Sequence, residues 1–274
     1  MVSQAVFSLF LSIAIFVLAF NLEVGKMGLA SNLNAIMIVL GGTLSATLFA
    51  YPAKKLVWTG QLLRKAFGVR NEIDWTVNTI ITLAHTYRKG GMRALEEHGN
   101  KLPQGLLKSA VELMTYHHNR DKIEQVMQKE AQLIYSQYET SHKILHSMAR
   151  LAPALGLTGT IINLIRIFGR INSDPQSLIG YMAIALLSTF YGVVLANLCF
   201  VPLSNKLKEF MDQEELRFDL LQEGILDLYD KENPRAIEHK LETLATAVAT
   251  PTRTIPRPRL IPIPPKKQTY SVMP

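Results

Sequence analysis

The residues best suited to chemistry in this chain of 274 residues are hydroxyls and amides set inside apolar stretches. Pro153, Gly156, Thr160 and Asn163 follow one another at helical spacing within the uncharged run Leu151–Ile165. Ala185, Thr189, Gly192, Ala196 and Cys199 do the same within Pro175–Asn205. Such oxygens can ligate a small cation or border a water path, but they cannot exchange a charge. No Asp or Glu lies in any long apolar stretch of the chain, although an intramembrane carboxylate is the usual proton relay or ion ligand. Two readings therefore stand. Small residues let helices approach while hydroxyls bond back to their own backbone. Alternatively, the hydroxyls line a pathway whose carboxylate arrives from another chain.

Other reactive side chains point less far. Arg166 is either an interfacial anchor or a fixed positive charge beside a pathway, where it would repel cations. His142 and His146 stand four apart, a spacing that can hold a metal on a helix, but without a third ligand packing or surface histidines are the expectation, so the expected metal set is none. The single cysteine, Cys199, excludes a disulfide framework and a multi-cysteine zinc site. The string GLTGT lacks the Lys and the glycine spacing of a phosphate loop. No catalytic constellation is present, and the chain is not expected to be an enzyme.

The elements that position these residues are membrane spans. Charged residues are absent from Met1–Leu22, Met27–Ala53 and Pro175–Asn205, each long enough for a hydrocarbon core of about 30 Å. The fourth stretch, Leu151–Ile165, has 15 residues and spans if Arg150 or Arg166 snorkels to an interface. The first stretch lacks a basic n-region and a second span follows closely, so it is read as a mature helix, not a signal peptide. With four spans, only Lys26, Arg166 and Arg170 fall on the far side, which leaves 26 of the 29 Lys and Arg beside both termini. That side is cytoplasmic by the positive-inside rule. The net charge of +7 then concerns the membrane: Lys54, Lys55, Arg64, Lys65 and Arg70 suit anionic headgroups. No aromatic–basic interleaving supports nucleic acid.

The expected fold is all-α: a polytopic membrane protein with four transmembrane helices and a helical cytoplasmic domain. Residues 1–53 form a first hairpin, 54–147 a cytoplasmic domain, 148–203 a second hairpin, 204–245 post-membrane helices and 246–274 a Pro-rich, disordered basic tail. Apolar positions three and four apart predict helices over 73–87 and 104–118, with Gly90, Gly91, Gly99 and Pro103 punctuating the gap. A polar helix from Asp121 runs into the third span, another leaves the fourth through Lys206–Asp230, and Asn233–Pro234 starts a short last helix.

Several strings carry a resemblance. IMIVLGGTLSATLFAYP, RKGGMRALEE, APALGLTGTIINLIRIF, ALLSTFYGVVLANLCFVPLSNKL and EGILDLYDKENPR together cover most of residues 33–240. They resemble the MotA/PomA family of flagellar stator subunits within the wider TolQ/ExbB ion-channel group, and the two spans before the cytoplasmic block favour the flagellar branch. The resemblance implies an ion-conducting stator in the bacterial inner membrane, five copies around two single-span MotB/PomB-like partners that bind peptidoglycan. The partner's aspartate supplies the missing carboxylate. Sodium or proton influx then drives torque on the rotor switch protein, with no cofactor. Pro153 and Pro202 match the prolines implicated in coupling ion flow to movement. Arg88 and Glu96 match the charged pair that engages the rotor. Thr160 and Thr189 match the threonines of the sodium-using branch, and with Asn163 they are the expected ion-pathway residues. Asn163 and Arg166 depart from the usual small or apolar residues. The two hydroxyls favour sodium and Arg166 counts against it. The rival reading is an ExbB/TolQ-like or gliding-type energiser of outer-membrane or surface machinery; a receptor or scaffold without ion flow would tolerate loss of both hydroxyls.

Overall fold

The computed structural model describes residues 29–68, 72–116, 119–169 and 175–249. Its elements are helical throughout, as expected. The expected first span, residues 1–22, and the tail beyond Ala249 lie outside the described residues. Among the described residues, three helical stretches are long and apolar enough to cross a membrane: Leu33–Ala50, and parts of Arg120–Phe168 and Leu178–Tyr229.

The second expected span is built from α1 (Leu29–Ile36), a π-turn (Met37–Gly41) and α2 (Gly42–Ala50). It stops where Tyr51 turns extended ahead of Pro52, because a residue before proline is disfavoured in the helical region. Helix α3 (Ala53–Ala66) follows at once. The third span is the outer part of α6 (Arg120–Phe168), one helix of 49 residues, about 74 Å long at 1.5 Å per residue. Asn119 starts it, its side chain accepting from the Asp121 amide. The fourth span is α7 (Pro175–Val194), continued through a π-turn (Leu195–Phe200) into α8 (Val201–Tyr229). Pro202 has no N–H for the carbonyl of Leu198, four residues back, and its ring crowds that oxygen. The wider π-turn just before it takes up the misfit.

The cytoplasmic mass is completed by α4 (Glu72–Gly99), α5 (Leu106–Thr115) and α9 (Pro234–Ala249). Expected breaks at Gly90 and Gly91 are instead a sharp kink: Gly91 sits at φ 66°, ψ −159°, and the chain resumes helix to Gly99. An L side chain is strained there, whereas glycine adopts it freely. One core joins the segments before and after the second hairpin. Ile80, Leu83 and Leu95 of α4, Met114 of α5, Ile123 of α6, and Leu220 and Ile225 of α8 are buried together in it, with Leu241 of α9. The approach is close enough that a Cβ on Gly224 would lie 2.7 Å from the Ile80 side chain. Nearer the membrane, Tyr138, Leu145, Leu207 and Met211 bury a second cluster against Trp58 and Phe210.

Candidate functional site

Among the described helices, α6 and α7 pack most extensively, and glycine lets them approach. A Cβ on Gly192 would lie 2.7 Å from the Ala152 carbonyl oxygen and 3.2 Å from Pro153 Cα. On Gly156 it would lie 2.7 Å from the Ser188 carbonyl oxygen. The two helices thus touch backbone to backbone, as small residues permit in membranes. A methyl at Gly192 must drive them apart. Gly192→Ala is expected to cost about 1–3 kcal/mol, read as a lower thermal midpoint and membrane level. Gly180→Ala, where a Cβ meets nothing within 4 Å, is the silent control.

This crossing brings Thr160 and Thr189 together. Their Oγ1 atoms are 2.5 Å apart, and Thr160 Oγ1 also lies 2.9 Å from the Ala185 carbonyl oxygen and 3.3 Å from that of Gly156. The arrangement that uses both protons has Thr160 donating to Ala185 and Thr189 donating to Thr160. Three hydroxyl lone pairs then remain, one on Thr160 and two on Thr189. The pair is an acceptor site, suited to a cation or a water and lacking a charge of its own.

Asn163 lies one turn further along α6 and is fully buried. Its amide does not reach the threonines: Nδ2 donates to the Gly159 carbonyl at 2.8 Å. Its Oδ1 accepts from exposed Arg166 at 3.5 Å. Arg166 therefore leans back along its own helix toward Asn163. Pro153 stands at the Gly192 contact, and Pro202 is exposed at the end of the π-turn. His142 and His146 stack at 6.2 Å between ring centroids, and burial, then His146, pushes the His142 pKa down.

Arg88 and Glu96 are both exposed, on either side of the Gly91 kink. Arg88 Nη1 donates to Asn233 Oδ1 at 3.0 Å, so the turn between α8 and α9 braces the base of this tip. That partner was not foreseen from the sequence, nor was Ser188, buried and donating to the Ile184 carbonyl at 2.8 Å. Ser188 packs on Gly159, where a Cβ would lie 2.8 Å from its own Cβ; the serine beside Thr189 was the available signal.

Fold and site define an all-helical membrane protein whose spans carry a paired-hydroxyl acceptor site at a tight helix crossing. Residues 98–220 match the MotA/TolQ/ExbB proton channel family. The chain is 29% identical over 219 residues to the chemotaxis protein PomA of Vibrio alginolyticus, covering 80% of this chain and 85% of that one. It is 30% identical over 214 residues to motility protein A of Aquifex aeolicus, covering 76% and 83%. Its fold superposes on the Campylobacter jejuni MotAB structure with TM-score 0.77 at 21% identity, covering 89% of this chain and 96% of that one. The flagellar MotAB stator complex from Bacillus subtilis gives 0.75 at 22%, covering 91% and 98%. The chain belongs to the MotA/PomA family of flagellar stator subunits, within the MotA/TolQ/ExbB proton channels.

Proposed function

We propose that this subunit sits in the bacterial inner membrane with both termini cytoplasmic, and conducts sodium or protons together with a single-span MotB/PomB-like partner. The observation that carries the reading is the Thr160–Thr189 pair at a close crossing whose described span residues include no Asp or Glu. Such a site offers oxygens and no exchangeable charge, so a partner aspartate completes it. Several copies, five by the family resemblance, would surround a partner dimer anchored to peptidoglycan. Exposed apolar side chains on the spans, such as Ile165, Ile179 and Leu186, give this assembly and the lipid a surface to cover. Pro153 at the crossing and Pro202 beside the π-turn would, by the family resemblance, couple ion occupancy to helix movement. No resident cofactor enters the scheme, since the ion-motive force supplies the energy.

Arg88 and Glu96 would meet the rotor switch protein. Arg88→Glu or Glu96→Lys is expected to reduce swimming several-fold with membrane level and ion flux unchanged. Complementary charge reversals on the rotor should restore part of the loss, since matched potentials govern docking and specificity. Equal loss of flux would place these residues in folding or gating. Unchanged swimming would favour an energiser of other machinery.

A further inference from the structure

The Arg88 guanidinium is tied to a residue 145 positions away: Nη1 donates to Asn233 Oδ1 at 3.0 Å, and both side chains are exposed. A solvated bond of this kind orders little unless its acceptor is itself fixed. Asn233 is fixed from both sides. Helix α8 closes in a Schellman motif, with the Glu232 amide donating to the Asp227 carbonyl at 3.0 Å and the Lys231 amide to that of Leu228 at 3.2 Å. Lys231 takes the left-handed position of that motif at φ 61°, where glycine is usual, so the turn is kept at a conformational cost. Helix α9 starts at once. The Asn233 carbonyl accepts from the Ala236 and Ile237 amides at 2.8 and 3.0 Å, and Pro234 fills the first helical position with its φ preset. Ile237 and Leu241 then anchor α9 in the cytoplasmic core. Asp230, at the same turn, accepts from Arg120 at the start of α6 at 3.1 Å.

Asn233 Oδ1 has two tasks. It caps α9, accepting from the Arg235 amide at 3.3 Å, and it holds Arg88, which uses both of its lone pairs. Capping alone does not account for asparagine. Asparagine, aspartate and serine cap about equally, and aspartate would gain further from the helix dipole. The three differ in what they do to Arg88. The neutral amide holds one arm and leaves the charge whole. Aspartate would pair with that charge, and serine, one bond shorter, would release it. Nε and Nη2 of Arg88 take no partner among the described residues, so one edge of the guanidinium fork stays open to a carboxylate. Ordering the side chain beforehand lowers the cost of docking. We propose that Asn233 is a positioning residue for the rotor contact, presenting Arg88 with its charge intact and its Nε–Nη2 edge free for an acidic group on the partner surface. This rests on the proposed role of Arg88 at the rotor.

The test uses motile cells carrying the full-length chain with a fluorescently tagged single-span partner. Photobleaching recovery reads the residence time of stator units at the motor, and the thermal midpoint of the detergent-extracted oligomer is read beside it. Arg88→Ala is expected to shorten residence. Asn233→Ser should shorten it about two- to fivefold, the worth of one hydrogen bond and the ordering it provides, and Asn233→Asp should shorten it more. Both variants keep the cap, so the midpoint should hold with serine and hold or rise with aspartate. In an Arg88→Ala background neither should shorten residence further, because the two residues act as one unit. Shortened residence in Arg88→Ala with normal residence in both Asn233 variants would overturn the positioning role and leave the rotor contact standing. Normal residence in Arg88→Ala would remove the rotor contact and the inference with it. A midpoint that falls in step with residence, or full effects of both Asn233 variants in the Arg88→Ala background, would reduce Asn233 to a helix cap and overturn the proposal.

Discussion

Reconstituted alone into liposomes, the chain is expected to pass neither protons nor sodium under an imposed gradient, and co-reconstitution with the single-span partner should raise flux at least about 100-fold. The reason is the cost of taking an ion out of water, of order 20 kcal/mol for a unit charge moved into a medium of low dielectric. Neutral oxygens recover only part of that. At the Thr160–Thr189 crossing both protons are already committed, one to the Ala185 carbonyl and one between the hydroxyls. What remains are lone pairs without net charge. A carboxylate changes the balance, since its attraction for a cation inside the membrane is many times its value in water. No acid lies among the described span residues, and on the proposed scheme the partner supplies the carboxylate. Ion-selective flux from the chain alone, matching that of the complex, would refute the shared pathway and move attention to Asn163 and Arg166.

Much of this architecture was legible because charge is so unevenly spread. The uncharged runs gave the second, third and fourth spans, and the small faces Gly156–Thr160 and Thr189–Gly192 gave the helix crossing before any contact was known. What the sequence could not separate was packing from pathway, because one small-residue face both closes the crossing and carries the hydroxyls. Gly156 and Gly192 bring the helices into contact, and that contact presses the two hydroxyls together. Other features depended on distance in sequence. Glu214 and Arg217 stand three apart on a polar helix, yet Glu214 is buried and reaches Lys65 of α3, while Arg217 reaches Glu72 of α4. Burial raises the Glu214 pKa, with Arg217 and Lys65 opposing it. Nothing local announces such a network. The diglycine at Gly90–Gly91 misled differently: it signalled a break, but one left-handed residue suffices to redirect a helix, and the chain resumed helix immediately. Local propensity marks where a helix is disturbed, and the burial of Leu95 decides that it continues.

We propose sodium as the ion, on the strength of the two hydroxyls. Sodium entering a dehydrated site must replace several water oxygens, and Thr160 and Thr189 offer three lone pairs close together, beside carbonyls already engaged. A proton needs only a carboxylate and a water path, and would gain little from them. Replacing both threonines by valine keeps the branched shape at the crossing and removes both oxygens. At about 1 kcal/mol or more for each lost ligand, the sodium concentration for half-maximal swimming should rise tenfold or more, since about 1.4 kcal/mol is a factor of ten. Arg166 works against this by about 1 kcal/mol or more if its charge lies within a few ångströms of the ion. Its contact with Asn163, one turn away from Thr160, gives Arg166→Gln a sign: sodium affinity should increase. The measurement is swimming speed across a sodium series, with potassium holding ionic strength constant, followed by addition of a protonophore. Full speed without sodium and collapse with the protonophore would make the subunit a proton conductor and return the two hydroxyls to packing.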